Sequence, residues 1–146
     1  GGHAKVLEDT IKALHLGDEV ELVGPLFDED KAAAFANSDA FVLPSLSEGL
    51  PIAVLEAAAY RLPLLITRPC NLGRGFSIGA AQELRLTADG MAADLWAFLS
   101  SSRLSLETMG ARAREWMQDS YSWRSVALAM EEFYLDSAAR DAAYAR

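Results

Sequence analysis

Apolar positions along the chain switch between two spacings. Between Ala4 and Leu16 they fall at Val6, Leu7, Ile11 and Leu14, one face of a helix, with Gly17 placed to close it. Val20 to Val23 reads as a short strand stopped by Gly24-Pro25, and Asp28 is placed to cap a helix from Glu29 to about Asn37. Ala40 to Leu43 is an uninterrupted apolar run ending at Pro44, and Leu64 to Ile66 is another; both predict buried strands. Pro51 to Tyr60 predicts a helix between them. Residues 68–83, with Gly73, Gly75 and Gly79, predict a long loop followed by an edge strand at Leu84 to Leu86. Asp89, Ser105 and Ser122 are expected to cap three helices: to about Leu99, to about Ser120, and from Trp123 into an Ala-rich end expected to fray over residues 138–145.

Continuous apolar strands alternating with helices define an α/β class, a Rossmann-like parallel sheet covered on both faces. Ligands of such sheets bind beyond the carboxyl ends of the strands. Gly24-Pro25, Pro44-Ser45 and Thr67-Arg68 each follow a strand end. They are therefore expected on one rim, together with the helix start at Pro51. No internal repeat or linker interrupts the chain.

Composition narrows the reading. A chain of 146 residues, 51% apolar and 23% charged, suits one domain with a real core. A net charge of −8 opposes a general nucleic-acid binder and electrostatic docking on anionic lipid. Charges break every apolar run well short of a membrane span, and the first helix is amphipathic, unlike a secretory leader. The lone Cys70 cannot form an intrachain disulfide, so a reducing, cytoplasmic setting is expected. With only His3, His15 and Cys70 as soft ligands, no zinc site is expected.

The chemistry concentrates in Pro44–Ala57. Glu48 lies in a loop, and Glu56 stands eight positions later inside a helix whose other residues from Ile52 to Ala59 are all apolar. A buried carboxylate needs hydrogen bonds or a paired charge. No basic residue lies within a turn of Glu56 on that helix, the nearest, Arg61, being five positions away. Gly49 permits close backbone approach, and Pro51 suits the first helical position. The free amides of Ile52 and Ala53 would then favour an anion, a phosphate above all. One element would offer both an anion site and carboxylates for hydroxyls, the two kinds of group on a nucleotide sugar. The competing reading is a buried helix in which Glu56 caps neighbouring backbone amides.

The sequence Val-Gly-Pro-Leu (23–26), Phe-Val-Leu-Pro-Ser (41–45), Glu-Gly-Leu-Pro (48–51), Leu-Glu-Ala (55–57) and Leu-Pro-Leu-Leu-Ile-Thr (62–67) resembles the carboxy-terminal domain of the family-4 (group 1) glycosyltransferases. The resemblance is strongest over residues 18–67 and continues through Tyr121-Ser122-Trp123. It implies the two-domain GT-B fold, a retaining mechanism, and a donor-binding half that takes a nucleoside-diphosphate sugar as substrate with no cofactor and no metal. It implies that Glu56 binds the ribose hydroxyls and that Glu48, the catalytic candidate, contacts the donor sugar. Gly49 and Leu50 would lie against sugar and diphosphate, and Gly24, Pro25 and Leu26 would hold the nucleobase. Asn71 is a further candidate for the donor sugar, against loop capping. The expected setting is glycan, lipopolysaccharide or exopolysaccharide synthesis, with a sugar or lipid-linked acceptor and no nucleic acid.

Two departures from that pattern stand out. Arg61 occupies a position where the family usually has Gly, and Asn71-Leu72-Gly73-Arg74-Gly75 differs from the commoner loop. A third concerns extent. Gly1-Gly2-His3 resembles the loop after the second strand of such a domain. The sheet is therefore expected to be truncated at its amino-terminal edge. The diphosphate motif and the acceptor domain are expected to lie outside this chain, along with any contact to the inner membrane. The chain alone is then expected to be inactive and to dimerise through the truncated edge. The alternatives are a sugar-nucleotide epimerase or hydrolase of the same fold, or a non-catalytic interaction module. Arg68 and Arg74 could meet phosphate, acceptor or solvent. Lys31, His3 and His15 read as surface residues, Cys70 as unreactive, and Trp96, Trp116 and Trp123 as core.

Overall fold

The computed structural model describes residues 2–144, so the expected fraying of 138–145 falls partly outside it. The chain divides into two compact units, Gly1–Ala34 and Phe35–Arg146. The first contains α1 (Gly2–Ala13) and opens α2 (Asp28–Ala36). Its expected strand at Val20–Val23 is not formed: residues 20–27 carry no regular structure, and Val20, Leu22 and Val23 are exposed. A strand exists only by pairing, and among the described residues of this unit no other extended segment offers it a ladder.

The second unit holds β1 (Phe41–Leu43), α3 (Ile52–Ala59), β2 (Leu64–Ile66), a 3-10 turn (Arg68–Cys70), α4 (Gly73–Ser77), β3 (Ala81–Glu83), α5 (Ala88–Leu99), α6 (Arg103–Tyr121) and α7 (Trp123–Tyr144). The strands form a parallel sheet in the order β1-β2-β3. The expected loop over 68–83 is thus a turn, a short helix and a strand. The edge strand sits at Ala81–Glu83 rather than Leu84–Leu86, because Ala81, Gln82 and Glu83 pair with Leu64, Leu65 and Ile66. Leu84 continues inward as a fully buried core residue.

β2 is buried on both faces, as a central parallel strand should be. Leu64 and Ile66 join Val54, Ala57, Ala58, Leu72, Ala113 and Trp116 on one face, with Phe35 and Phe41 against them. Leu65 joins Leu84 and Phe98 on the other, with Met91, Leu95 and Met109 around them. This is the alternation of a strand between two layers. Of the three tryptophans only Trp116 is core; Trp96 and Trp123 are 76% and 92% exposed. Helical spacing alone does not say which face a neighbour covers.

Helix caps shift slightly from expectation. Thr87 accepts from the Gly90 amide and Ser102 from the Ser105 amide, in place of Asp89 and Ser105. Ser122 does cap α7, accepting from the Ser125 amide at 3.1 Å.

Candidate functional site at the carboxyl rim of the sheet

Three strand ends set the floor of the site. Leu43, Ile66 and Glu83 are in register, so the parallel strands end flush. The segments leaving them, from Pro44, Thr67 and Leu84, emerge on one rim. Three hydrogen bonds join the first two segments. Thr67, wholly buried, donates its hydroxyl to the Ser45 carbonyl at 2.5 Å. The Glu48 amide donates to the Pro69 carbonyl at 3.0 Å. The Asn71 side-chain amide donates to the Glu48 carbonyl at 2.6 Å. Asn71 takes a left-handed conformation, φ 58°, which asparagine tolerates better than most residues. Arg68 reaches across the rim to Glu83 in a two-point ion pair, Nε–Oε1 2.7 Å and Nη2–Oε2 2.6 Å.

Glu48 is thereby held through its backbone. Its half-buried carboxylate makes no hydrogen bond or ion pair among the described residues. Gly49 and Leu50 follow, exposed, and lead into α3. Pro51 is the N-cap of that helix rather than its first residue, with φ −74° and ψ 95°, and no side chain caps this end. Ile52 and Ala53 are exposed there. The amides of a first helical turn have no intrahelical acceptor, so an uncapped start attracts anions.

Glu56 is half-buried, not enclosed as its apolar neighbours suggested. α3 buries Val54, Ala57 and Ala58, the i, i+3, i+4 stripe, against the sheet and α6. Glu56 lies on the other side, between the directions of Ile52 and Ala53. Helical side chains lean toward the amino end. Glu56 therefore leans toward the turn into which the Glu48 loop runs. Its apolar neighbours reflect short side chains on a small helix, not burial all round.

Gly24, Pro25 and Leu26 belong to the first unit. Gly24 has φ 71°, which fits the turn expected there; Gly24 and Pro25 are exposed and Leu26 half-buried. Arg74 is exposed and lines a groove of about 280 Å³ with Arg112, Glu115, Trp116 and Asp119. His3 and His15 are exposed and Lys31 is half-buried; Cys70 is fully buried 3.6 Å from the Thr67 hydroxyl. A larger cavity, about 520 Å³, lies at the amino ends of the strands beside Asp39, Tyr60, Arg61, Pro63 and Arg103. That end carries neither the uncapped helix start nor the glutamate pair. Sequence reasoning placed Thr67 on the rim without its bond to Ser45, and missed Glu83. For Thr67 the available signal was a polar residue directly after the buried run Leu64–Ile66; Glu83 is the last residue of β3 and carried none.

A parallel α/β sheet with a carboxylate loop and a helix start at its carboxyl rim has the layout of the Rossmann-like α/β class. Residues 1–76 match the family described as "Glycosyl transferases group 1". The chain belongs to that family. It is 32% identical over 139 residues to an MMP alpha-(1->4)-mannosyltransferase of Mycolicibacterium hassiacum, an alignment covering 93% of this chain and 34% of that protein. Its fold is similar to that of a sucrose-phosphate synthase from Thermosynechococcus elongatus, with a TM-score of 0.79 at 23% identity over 96% of this chain and 35% of that one. At that identity the likeness speaks for the fold, the Rossmann-like carboxy-terminal half of a GT-B enzyme. The chain spans about a third of the length of these relatives.

Proposed function

We propose that this chain is the donor-binding half of a retaining glycosyltransferase that moves a sugar from a nucleoside-diphosphate sugar to an acceptor. The observation that carries the reading is the Glu48 loop. It is pinned at both backbone atoms of Glu48, leaves that carboxylate without a partner among the described residues, and runs straight into a helix start that no side chain caps. A carboxylate on a fixed backbone suits sugar hydroxyls, and a helix start that no side chain caps suits a diphosphate. Family membership and the mannosyltransferase relative support a sugar-transfer chemistry.

In this reading Glu56 accepts hydrogen bonds from the ribose hydroxyls, and Gly49 and Leu50 lie against sugar and diphosphate. Gly24, Pro25 and Leu26 hold the base. As the bond from the anomeric carbon to the diphosphate oxygen lengthens, positive charge grows on the sugar and negative charge on the leaving group. Glu48 steadies the first, and the α3 amides steady the second. The reaction needs no cofactor, and the acceptor binds to sequence outside this chain. Polysaccharide or glycolipid synthesis in the cytoplasm is the setting this reading favours.

The test is a titration of nucleoside-diphosphate sugars against the full-length protein, with transfer followed by product release. One base and one sugar should bind well above the others and turn over. The 146-residue chain by itself should transfer none. Absence of nucleotide binding by the full-length protein overturns the reading.

A further inference from the structure

Glu48 is separated in sequence from the segment that holds it, and that segment has no role in the chemistry described above. Thr67 and Asn71 lie on the far side of β2, 22 and 23 positions from their acceptors on the Glu48 loop. Between Pro44 and α3 the loop has no regular structure of its own. Internally, among the described residues, it has one small turn at Ser45–Ser47, where the Ser47 amide donates to the Ser45 hydroxyl at 3.3 Å and that hydroxyl donates to the Ser47 carbonyl at 3.2 Å. A loop of this kind samples many conformations unless other elements fix it. Its fixed points are the Ser45 carbonyl, held by Thr67, and the Glu48 carbonyl and amide, held by Asn71 and Pro69.

We infer that Thr67 and Asn71 are positioning residues that clamp the Glu48 loop, and that Asn71 acts on Glu48 rather than on the donor sugar. The inference deepens the proposed function and rests on it. The two residues suit the task for separate reasons. Thr67 sits at the end of the most buried strand, so its hydroxyl is referenced to the core. Asn71 closes the 3-10 turn with its own amide on the Arg68 carbonyl at 3.1 Å. Its left-handed backbone turns the side chain back to the loop. The clamp references a surface carboxylate to the sheet. It sets where Glu48 stands when charge develops on the sugar, while leaving Glu56 and the helix start untouched.

The experiment uses the full-length enzyme with Asn71→Gly, Thr67→Val and Thr67→Ser. Glycine keeps the left-handed backbone and removes only the side chain. Valine keeps the shape of a buried threonine and removes the hydroxyl, which serine retains. Asn71→Gly and Thr67→Val should each lower kcat by roughly 10–100-fold. The Kd for nucleoside diphosphate should stay within about twofold, and Thr67→Ser should hold most of the rate. Exchange of the Glu48 amide proton in Asn71→Gly should quicken by roughly 5–10-fold while β2 amides keep their rates. An unchanged Glu48 amide in Asn71→Gly overturns the clamp. So does a nucleotide affinity that falls as far as turnover, or a Thr67→Ser enzyme as impaired as Thr67→Val. If no nucleoside-diphosphate sugar is turned over by the parent enzyme, the proposed function fails, and the Glu48 exchange rate still decides the clamp.

Discussion

Gly110 of α6 lies directly against the carbonyl oxygen of Arg61, so close that a Cβ at position 110 would overlap that oxygen and press on the Arg61 carbonyl carbon. The contact joins the middle of a long helix to the turn that ends α3. The same two elements meet again where Arg114 donates to the Ala59 carbonyl at 2.6 Å. α6 therefore supports the end of the helix whose start faces the site.

Gly110→Ala should destabilise the protein, although alanine is the better helix former. The propensity gain is about 1 kcal/mol. The overlap is with backbone, which cannot swing aside, and overpacking of this kind costs about 1–3 kcal/mol or more. Thermal unfolding should show a Tm lower by several degrees. An unchanged or raised Tm would show that α3 and α6 separate without cost.

Arg61 holds φ 62° at the end of α3, where its amide donates to Ala58 and the Leu62 amide to Ala57. The conformation expected of a glycine is thus kept by an arginine. Left-handed backbone costs a residue with a Cβ about 1–2 kcal/mol. Glycine's larger unfolded-state entropy offsets about 0.5–1 kcal/mol of the relief. Arg61→Gly should raise stability by up to about 1 kcal/mol, whereas Arg61→Val, β-branched, should lower it. Denaturant midpoints that rank valine above glycine would contradict the strain.

Within the full-length enzyme the two glutamates should separate in their effects. Glu56→Gln removes a charge-assisted acceptor from the ribose, worth about 1.5–3 kcal/mol, so nucleoside-diphosphate affinity should fall by roughly one to two decades. Glu48→Gln should leave that affinity nearly intact and lower turnover, since its contact matters most as the sugar departs. Calorimetry and steady-state rates check this; equal losses of nucleotide affinity would refute the division.

Asp94 of α5 takes the Arg85 amide at 2.8 Å and its guanidinium at 2.7 Å, tying the segment after β3 to that helix. The Arg85 side-chain bonds, and then its backbone bond, hold the Asp94 carboxyl below the usual carboxylate value of 3.8. A depressed folded value means stability present above the unfolded pKa and lost as pH falls through the folded one. Asp94→Asn should therefore lower stability at neutral pH. The difference from the parent should shrink as pH drops below about 4. A gap that is constant from pH 7 to pH 2 would exclude the ion pair as its source.

Much of the sheet and of its rim was legible in the sequence. The strand Leu64–Ile66 and α3 appear within a residue of their expected ends, because apolar runs and Pro-Gly punctuation are written locally. The glutamate spacing and the rim loops at Pro44 and Thr67 were equally plain, whereas Gly24-Pro25 follows no strand. Other features depend on what packs against what. Trp96, Trp116 and Trp123 have similar helical settings, and only Trp116 meets the core. Val20–Val23 has strand composition but no ladder in its unit.

The chain by itself determined its α/β alternation, the two buried strands with the helix between them, and the residue types offered at the rim, since period, capping and turn chemistry act over a few residues. Tertiary structure alone decided which strand edge Ala81–Glu83 would pair with, that Glu56 would be half-exposed, and that Asn71 would hold Glu48 from 23 positions away. Those outcomes are set by contacts between distant segments. Each contact forms only where burial and hydrogen bonding together outweigh the chain entropy lost in closing the loop between them.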